Sequence, residues 1–118
     1  MQKFNFSYDK GNNDLFLFNP KSKSKGSVEL GDLVFDFNNK KELVGLEIMN
    51  ASNIIKDLSE DSIKKVNEVL ENLKECKVSI KTRNNLLIIK LYLLSKENKL
   101  TPIISIPKIQ KSPALRYN

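Results

Sequence analysis

The sequence predicts an α+β fold in which antiparallel β-hairpins, arranged as a meander, stand before and after one main amphipathic helix. Apolar and polar residues alternate through the first half of the chain and again through the last third, which is the period of a strand with one buried face. Between these regions apolar residues recur at steps of three and four, as on an amphipathic helix. Since strands and helices do not alternate, nothing indicates a parallel sheet.

The composition is that of one domain, residues 1–118, without disulfides. The chain has 118 residues, of which 40% are hydrophobic and 29% charged. A chain of this length buries about 65% of the surface that its unfolded form exposes. Cys76 is the only cysteine, so a reducing compartment is expected. No apolar run approaches the roughly 20 residues of a membrane span, and we therefore expect a cytoplasmic protein with no membrane contact.

Residues 4–57 form the strand-rich half. Phe4, Phe6 and Tyr8 share one face of the first strand, and the cluster at 10–13 is rich in residues that tolerate positive φ. We expect a hairpin there, then a polar lysine-serine loop at 21–26. The further strands are predicted at 15–18, 28–30, 33–37 and 43–49.

The main helix is predicted over 59–76, after a short helical turn at 51–56. Ser59 is placed to cap it, and the acidic residues Glu60 and Asp61 suit the positive end of the helix dipole. One apolar stripe of about four turns follows. It consists of Ile63, Val66, Val69, Leu70 and Leu73.

Residues 77–107 form the second antiparallel group, followed by a basic tail at 108–118. Asn84 and Asn85 suit a two-residue hairpin loop, which would set Arg83 opposite Leu86. One face of this hairpin is then core, and we expect the helix to cover it. That face consists of Val78, Ile80, Thr82, Leu87, Ile89, Leu91 and Leu93.

The other face of this hairpin is the best functional candidate, and we call it the interaction face. This face mixes cations with apolar side chains, and it is more apolar than is usual for a surface exposed to solvent. Its members are Lys81, Arg83, Leu86, Ile88, Lys90, Tyr92 and Leu94.

Three occupants of the interaction face remain open. A second copy of the chain, or another protein, would bury the apolar side chains while the cations surround them. Nucleic acid would place phosphates on the cations and stack a base on Tyr92. The rest of the chain could also cover this face, because the strands of the first half must pack somewhere.

The charge distribution agrees with an anionic partner. Residues 1–59 hold eight lysines and eight acids, whereas from Lys77 onward seven lysines, Arg83 and Arg116 face Glu97 alone. A basic third on a balanced protein permits contact with nucleic acid, an acidic protein or a membrane surface. Charge alone does not choose among them.

The first half also resembles a known family, domain of unknown function 2283, across residues 4–54. The matching residues are Tyr8-Asp9, Asp14 to Leu17, Leu30 to Asp36 and Leu43 to Ser52. The resemblance implies a compact β-meander that ends in a short helix. It brings no established activity, and it implies a role as the binding partner in toxin–antitoxin pairs.

The sequence predicts no enzyme, no catalytic or metal-ligating residue and no cofactor. Histidine is absent and the four glycines are scattered, so imidazole bases and phosphate-cradling loops are excluded. Aspartates beside turns, as at Asp9 and Asp14, usually bond their own backbone. The triplets at 75–77 and 97–99 have the Glu-x-Lys spacing of some nucleases, but this composition supplies about one by chance. A metal-dependent hydrolase or nuclease that uses these carboxylates is the second alternative, after nucleic-acid binding.

Overall fold

A computed structural model describes residues 1–108 and shows a mostly antiparallel sheet with two helices. The strands are β1 (Gln2–Asp9), β2 (Asp14–Phe18), β3 (Gly26–Leu30), β4 (Leu33–Phe37), β5 (Leu43–Ile48), β6 (Glu75–Arg83), β7 (Leu86–Leu94), β8 (Lys99–Leu100) and β9 (Ile103–Pro107). The helices are α1 (Ala51–Ser59) and α2 (Ile63–Glu71). The strand order is β3-β4-β5-β2-β1-β6-β7-β8, β9 also pairs with β7, and the sheet curls into a half barrel.

Both hairpins predicted from turn residues are confirmed. Asp9 pairs with Asp14 across the first turn, and the Asp9 carboxylate accepts hydrogen bonds from the backbone N–H and the side chain of Asn12. Arg83 pairs with Leu86 across the two-residue loop, where Asn84 has a φ of 56°. Local turn chemistry therefore sets the register of both hairpins.

The concave side of the sheet holds the core. Buried side chains from both groups of strands and from both helices belong to one hydrophobic cluster. The core includes Phe4, Leu17 and Phe35 from the first group of strands, and Ile89 and Leu93 from the second. Each of these side chains is at most 1% exposed. Both helices thus pack on the concave side and leave the convex side to solvent within residues 1–108.

The prediction of one main helix over 59–76 is not confirmed. The short helical turn predicted at 51–56 is the nine-residue helix α1, and within 59–76 only α2, also of nine residues, is helical. The two helices are separate because Glu60 adopts the left-handed conformation at φ 58° and ends α1. Ser59 is the last residue of α1, and its hydroxyl donates to the Ile55 carbonyl. Ser62 is the actual cap of α2, since its side chain accepts from the Lys65 N–H. The second group of strands begins correspondingly earlier, at Glu75.

Part of the predicted core face is also wrong. Val78, Ile89, Leu91 and Leu93 are buried as expected, but Ile80 is 38% exposed and Thr82 is exposed. The reason is that β1 pairs with β6 only from Phe4–Cys76 to Gln2–Val78. Beyond Val78 the hairpin extends past the strands that would cover it.

Within the described range, no helix is long and apolar enough to cross a membrane. The predicted basic tail lies outside the described residues, except for Lys108. Lys108 donates its backbone N–H to the Asn85 carbonyl.

Candidate interaction surface

The structure brings all seven residues of the interaction face to the convex side of the sheet. Direct cross-strand partners share a face, and Lys81 pairs with Ile88 while Arg83 pairs with Leu86. Strand β9 extends the surface, because Ile103 lies opposite Lys90. The alternation predicted from the sequence therefore places these side chains correctly.

The apolar part of the interaction face is open to solvent. Leu86 is 44% exposed, and Ile103, which extends the interaction face on β9, is 48% exposed. The other apolar members are half-buried: Ile88, Tyr92 and Leu94. Both helices pack on the opposite side of the sheet. No part of residues 1–108 covers this surface, so the alternative of coverage by the chain itself finds no support there.

A shallow cavity of about 240 Å³ lies in the middle of the interaction face. Lys81, Ile88, Lys90, Tyr92 and Ile103 contribute to its lining. The Lys90 ammonium lies 5.1 Å from the centroid of the Tyr92 ring, within the range of a cation–π interaction. One face of the Tyr92 ring is therefore already occupied by a cation.

Cations of this surface differ in whether a carboxylate neutralises them. Lys77 and Lys3 lie 3.5 Å and 3.4 Å from the two carboxylate oxygens of Glu75. Although partial burial opposes ionisation of Glu75, these ammonium groups outweigh it and lower its pKa. In the described part of the chain, Lys81, Arg83 and Lys90 form no ion pair. They remain available to an anionic partner.

The convex side of β2 to β5 carries the opposite charge, and we call it the acidic face. Its carboxylates are Asp14, Glu29, Asp36 and Glu47.

Glu47 stands between Phe16 on β2 and Val34 on β4. Burial raises the pKa of Glu47, and the charges of Asp14, Asp36 and Glu29 raise it further. Glu47 alternates with the buried residues Leu46 and Ile48 and therefore lies on the solvent side of the sheet. Its neighbours nevertheless remove part of its hydration.

Two of the carboxylates that could serve an enzyme are engaged in local hydrogen bonds. Asp9 bonds its own turn, and Asp36 accepts a hydrogen bond from Ser27 on the neighbouring strand. Among residues 1–108, no three acidic or cysteine side chains are close enough to hold a metal ion. Cys76 is buried, which raises its pKa to about 12, so its thiol stays protonated and unreactive at neutral pH.

Sequence reasoning missed a cavity of about 370 Å³ beside the tip of the β6–β7 hairpin. Ile80, Thr82 and Leu87 line one side, and residues at the ends of β2, β4 and β5 line the other. The alternation of β6 indicates only that Ile80 and Thr82 face inward. Ile80 and Thr82 lack neighbours on that side because β1 ends before it reaches them, and no local sequence pattern predicts where β1 ends.

Comparisons with known proteins agree with the resemblance found in the sequence. Residues 5–52 match the family described as a protein of unknown function, DUF2283. The chain is also 31% identical over 100 residues to the uncharacterized protein MJ0789 of Methanocaldococcus jannaschii, an alignment that covers 83% of this chain and 80% of that protein. No solved structure matches the chain.

Proposed function

The chain belongs to the DUF2283 family of proteins of unknown function, and from this premise we propose that it is a non-catalytic protein-interaction module. Its docking surface is the interaction face. The observation that carries the proposal is that apolar side chains on this face lie open beside three cations that have no carboxylate partner among residues 1–108. Such a mixture is typical of a surface that a partner covers.

Apolar burial supplies the driving force for docking. Full burial of a leucine or isoleucine side chain is worth about 1.5 to 3 kcal/mol, and Leu86 and Ile103 are the most exposed apolar residues of this surface. Charges supply selectivity, because Lys81, Arg83 and Lys90 favour a partner with carboxylates and disfavour a basic one. The fitting partner is therefore an acidic protein surface.

The chain itself carries such a surface. In a two-fold homodimer, the acidic face of each copy would supply carboxylates to the interaction face of the other. This satisfies the charge requirement, and self-association is the first form of the proposal. An antitoxin-like pairing with a different acidic protein is the second form. It rests on the same side chains.

Light scattering on the purified protein tests self-association. We expect a mass of about twice the 13.5 kDa of one chain, and Leu86→Asp should shift it to that of one chain, because an unpaired charge in an interface costs several kcal/mol. Leu30→Asp is the matched control, since Leu30 on β3 is 43% exposed against 44% for Leu86. A dimer that survives Leu86→Asp contradicts the assigned surface.

Nucleic-acid binding is the second candidate, and the unpaired cations support it. Against it, the Lys90 ammonium covers one side of the Tyr92 ring, where a base would otherwise stack. If nucleic acid is the partner, Lys81→Ala and Arg83→Ala should each reduce the slope of log affinity against log salt by about one. Lys56→Ala, at an exposed position on α1, is the control. A monomer that binds mixed oligonucleotides at low salt would overturn the protein-interaction proposal.

The absence of catalysis is likewise our proposal. It rests on carboxylates that are engaged in turns, hydrogen bonds and ion pairs. We expect no turnover in a screen of phosphodiester, phosphomonoester and ester substrates with divalent metals. Metal-dependent turnover that Asp14→Asn, Asp36→Asn or Glu75→Gln abolishes would show that the protein is an enzyme.

A further inference from the structure

Strand β6 has a free edge beyond the point where β1 stops. The β1–β6 pairing ends at Gln2 and Val78, whereas β6 continues to Arg83 and stays paired with β7 throughout. On the β1 side, residues 79–83 have no strand neighbour in the described range. An edge of this kind is a template for another strand.

The backbone groups available at this edge follow from the hairpin register. In a two-residue hairpin, the residues that flank the loop form a hydrogen-bonded pair, so Arg83 bonds Leu86 across the ladder. Bonding direction alternates along an antiparallel strand. The N–H and C=O groups of Ile80 and Thr82 therefore point away from β7, into the gap that β1 leaves.

The cavity of about 370 Å³ lies directly beside these groups. Ile80 and Thr82 form one wall together with Leu87, and the buried residues Leu43 and Val44 contribute apolar surface from β5. The rest of the lining is polar: Gln2, Asn19, Ser22, Asn38, Lys41 and Glu42. A strand added at this edge would direct every second side chain into the cavity, where apolar side chains of valine size find contacts. Ile80, now 38% exposed, would be covered.

The remaining side chains of an added strand would meet positive charge. Lys81 and Arg83 alternate with Ile80 and Thr82 along β6, so their side chains project on the convex side of the sheet. Both are exposed and neither has an ion pair in residues 1–108. Residues directly opposite them in a new strand share that face, so carboxylates are favoured there.

We propose that the free edge of β6 binds an extended segment of another protein as an additional antiparallel strand, in line with β1. The segment alternates apolar residues, which fill the cavity, with acidic residues, which pair with Lys81 and Arg83. Backbone hydrogen bonds to Ile80 and Thr82 supply affinity, and the two sets of side chains supply selectivity. The proposal goes beyond the proposed function, because it adds backbone pairing at the edge of the sheet, although Lys81 and Arg83 belong to both surfaces.

A short peptide in which valine and glutamate alternate is the probe, and its binding is measured by calorimetry with the full-length protein. Thr82→Pro removes one edge N–H but no hydrogen bond to β7, since proline is tolerated where the N–H faces away from the ladder. We expect at least tenfold weaker binding, which is the effect of losing a hydrogen bond and the close approach at the edge. Thr82→Val, which keeps the N–H and the β-branched shape, is the matched control and should bind like the wild type.

A second measurement keeps the proposal testable if Thr82→Pro unfolds. Peptide binding should slow hydrogen exchange of the Ile80 and Thr82 amides. A peptide that is N-methylated at the residues whose N–H groups face the edge of β6 should not bind. Replacing glutamate with lysine in the peptide should abolish binding to the wild type and restore it to the Lys81→Glu, Arg83→Glu variant.

Several results would overturn the proposal. These are no binding of the valine-glutamate peptide, equal binding by folded Thr82→Pro, and unchanged exchange of Ile80 and Thr82. Self-association that Thr82→Pro abolishes would show that a second copy occupies the edge, which also contradicts it. Ile103→Asp alters the interaction face on β9, which β7 separates from β6. It should leave peptide binding intact, so failure here is distinct from failure of the proposed function.

Discussion

Asn13 caps a helix that begins far along the chain, through two hydrogen bonds with Ser52. Its side-chain oxygen accepts from the Ser52 N–H at 3.1 Å, and its side-chain nitrogen donates to the Ser52 hydroxyl at 2.9 Å. The Asn13 carbonyl also accepts from the Ala51 N–H at 2.9 Å, whereas the adjacent Asn50 makes no side-chain cap. Since the family match spans residues 5–52, this contact joins the first hairpin turn of the matched segment to its last residue.

Asn13→Ala should lower the free energy of unfolding by about 2 to 3 kcal/mol. The variant loses the cap, which is worth about 1 kcal/mol, and places a β-carbon at a φ of 56°, which costs about 1 to 2 kcal/mol outside glycine and asparagine. Asn13→Gly loses the cap without the backbone strain and should cost less. Urea unfolding measures both, with Asn39→Ala, at an exposed turn residue, as control. Equal stability of Asn13→Ala and Asn39→Ala would rule out the capping role.

Stability should fall toward acidic pH in part through Glu68. The Asn98 side chain, followed by Ser95 and Asn72, donates hydrogen bonds to this carboxylate and lowers its pKa, against a smaller opposing effect of burial. Because the folded pKa lies below the unfolded value of 4.5, ionised Glu68 stabilises the fold above that value, and the contribution disappears as pH falls through the folded pKa.

Glu68→Gln tests this contribution. The variant should be less stable than the wild type at neutral pH, and the difference should shrink as the pH falls below 4.5 and through the folded pKa. Urea unfolding at several pH values measures it, and Glu97→Gln, at an exposed residue of the β7–β8 turn, is the control. A difference that does not vary with pH would contradict the assignment.

Gly45 and Asp36 should be energetically coupled. A β-carbon at position 45 would lie 2.9 Å from an Asp36 carboxylate oxygen and 3.3 Å from its Cβ, so Gly45→Ala forces Asp36 to move and should cost about 1 to 3 kcal/mol. In an Asp36→Ala background the carboxylate is absent, and Gly45→Ala should cost less. A double-mutant cycle measures the difference. Additive costs would contradict the close contact.

The sequence predicts those features that neighbouring residues determine. Asn84 and Asn85 define the loop of the second hairpin, and the period of two then assigns every residue of the interaction face to one side of the sheet. The division of the helical region was not predictable this way, because Ser59 and Ser62 are equally suitable caps by residue type. The left-handed Glu60, which ends α1 before Ser62 caps α2, has no local signal.

Long-range contacts account for the other differences. Ile80 has the same alternation as Val78, yet only Val78 has a partner on β1. Which side of the sheet the helices cover likewise depends on the path of the whole chain. The interaction face could therefore be listed residue by residue from the sequence, but its exposure could not.

Glu47 offers a prediction of opposite sign to that of Glu68. Burial beside Phe16 and Val34, followed by the charges of Asp14, Asp36 and Glu29, raises its pKa. The folded pKa then lies above the unfolded value of 4.5, so the protonated form stabilises the fold, and that stabilisation is lost as pH rises through the folded pKa. Glu47→Gln mimics the protonated form and should raise the free energy of unfolding at neutral pH but not at acidic pH. Urea unfolding of this variant and of Glu42→Gln, an exposed control, measures the effect.

Because Glu47 is also the central carboxylate of the acidic face, Glu47→Gln should weaken self-association while it stabilises the single chain, and light scattering separates the two effects. A variant that is less stable at neutral pH would show that the carboxylate is favourably solvated after all.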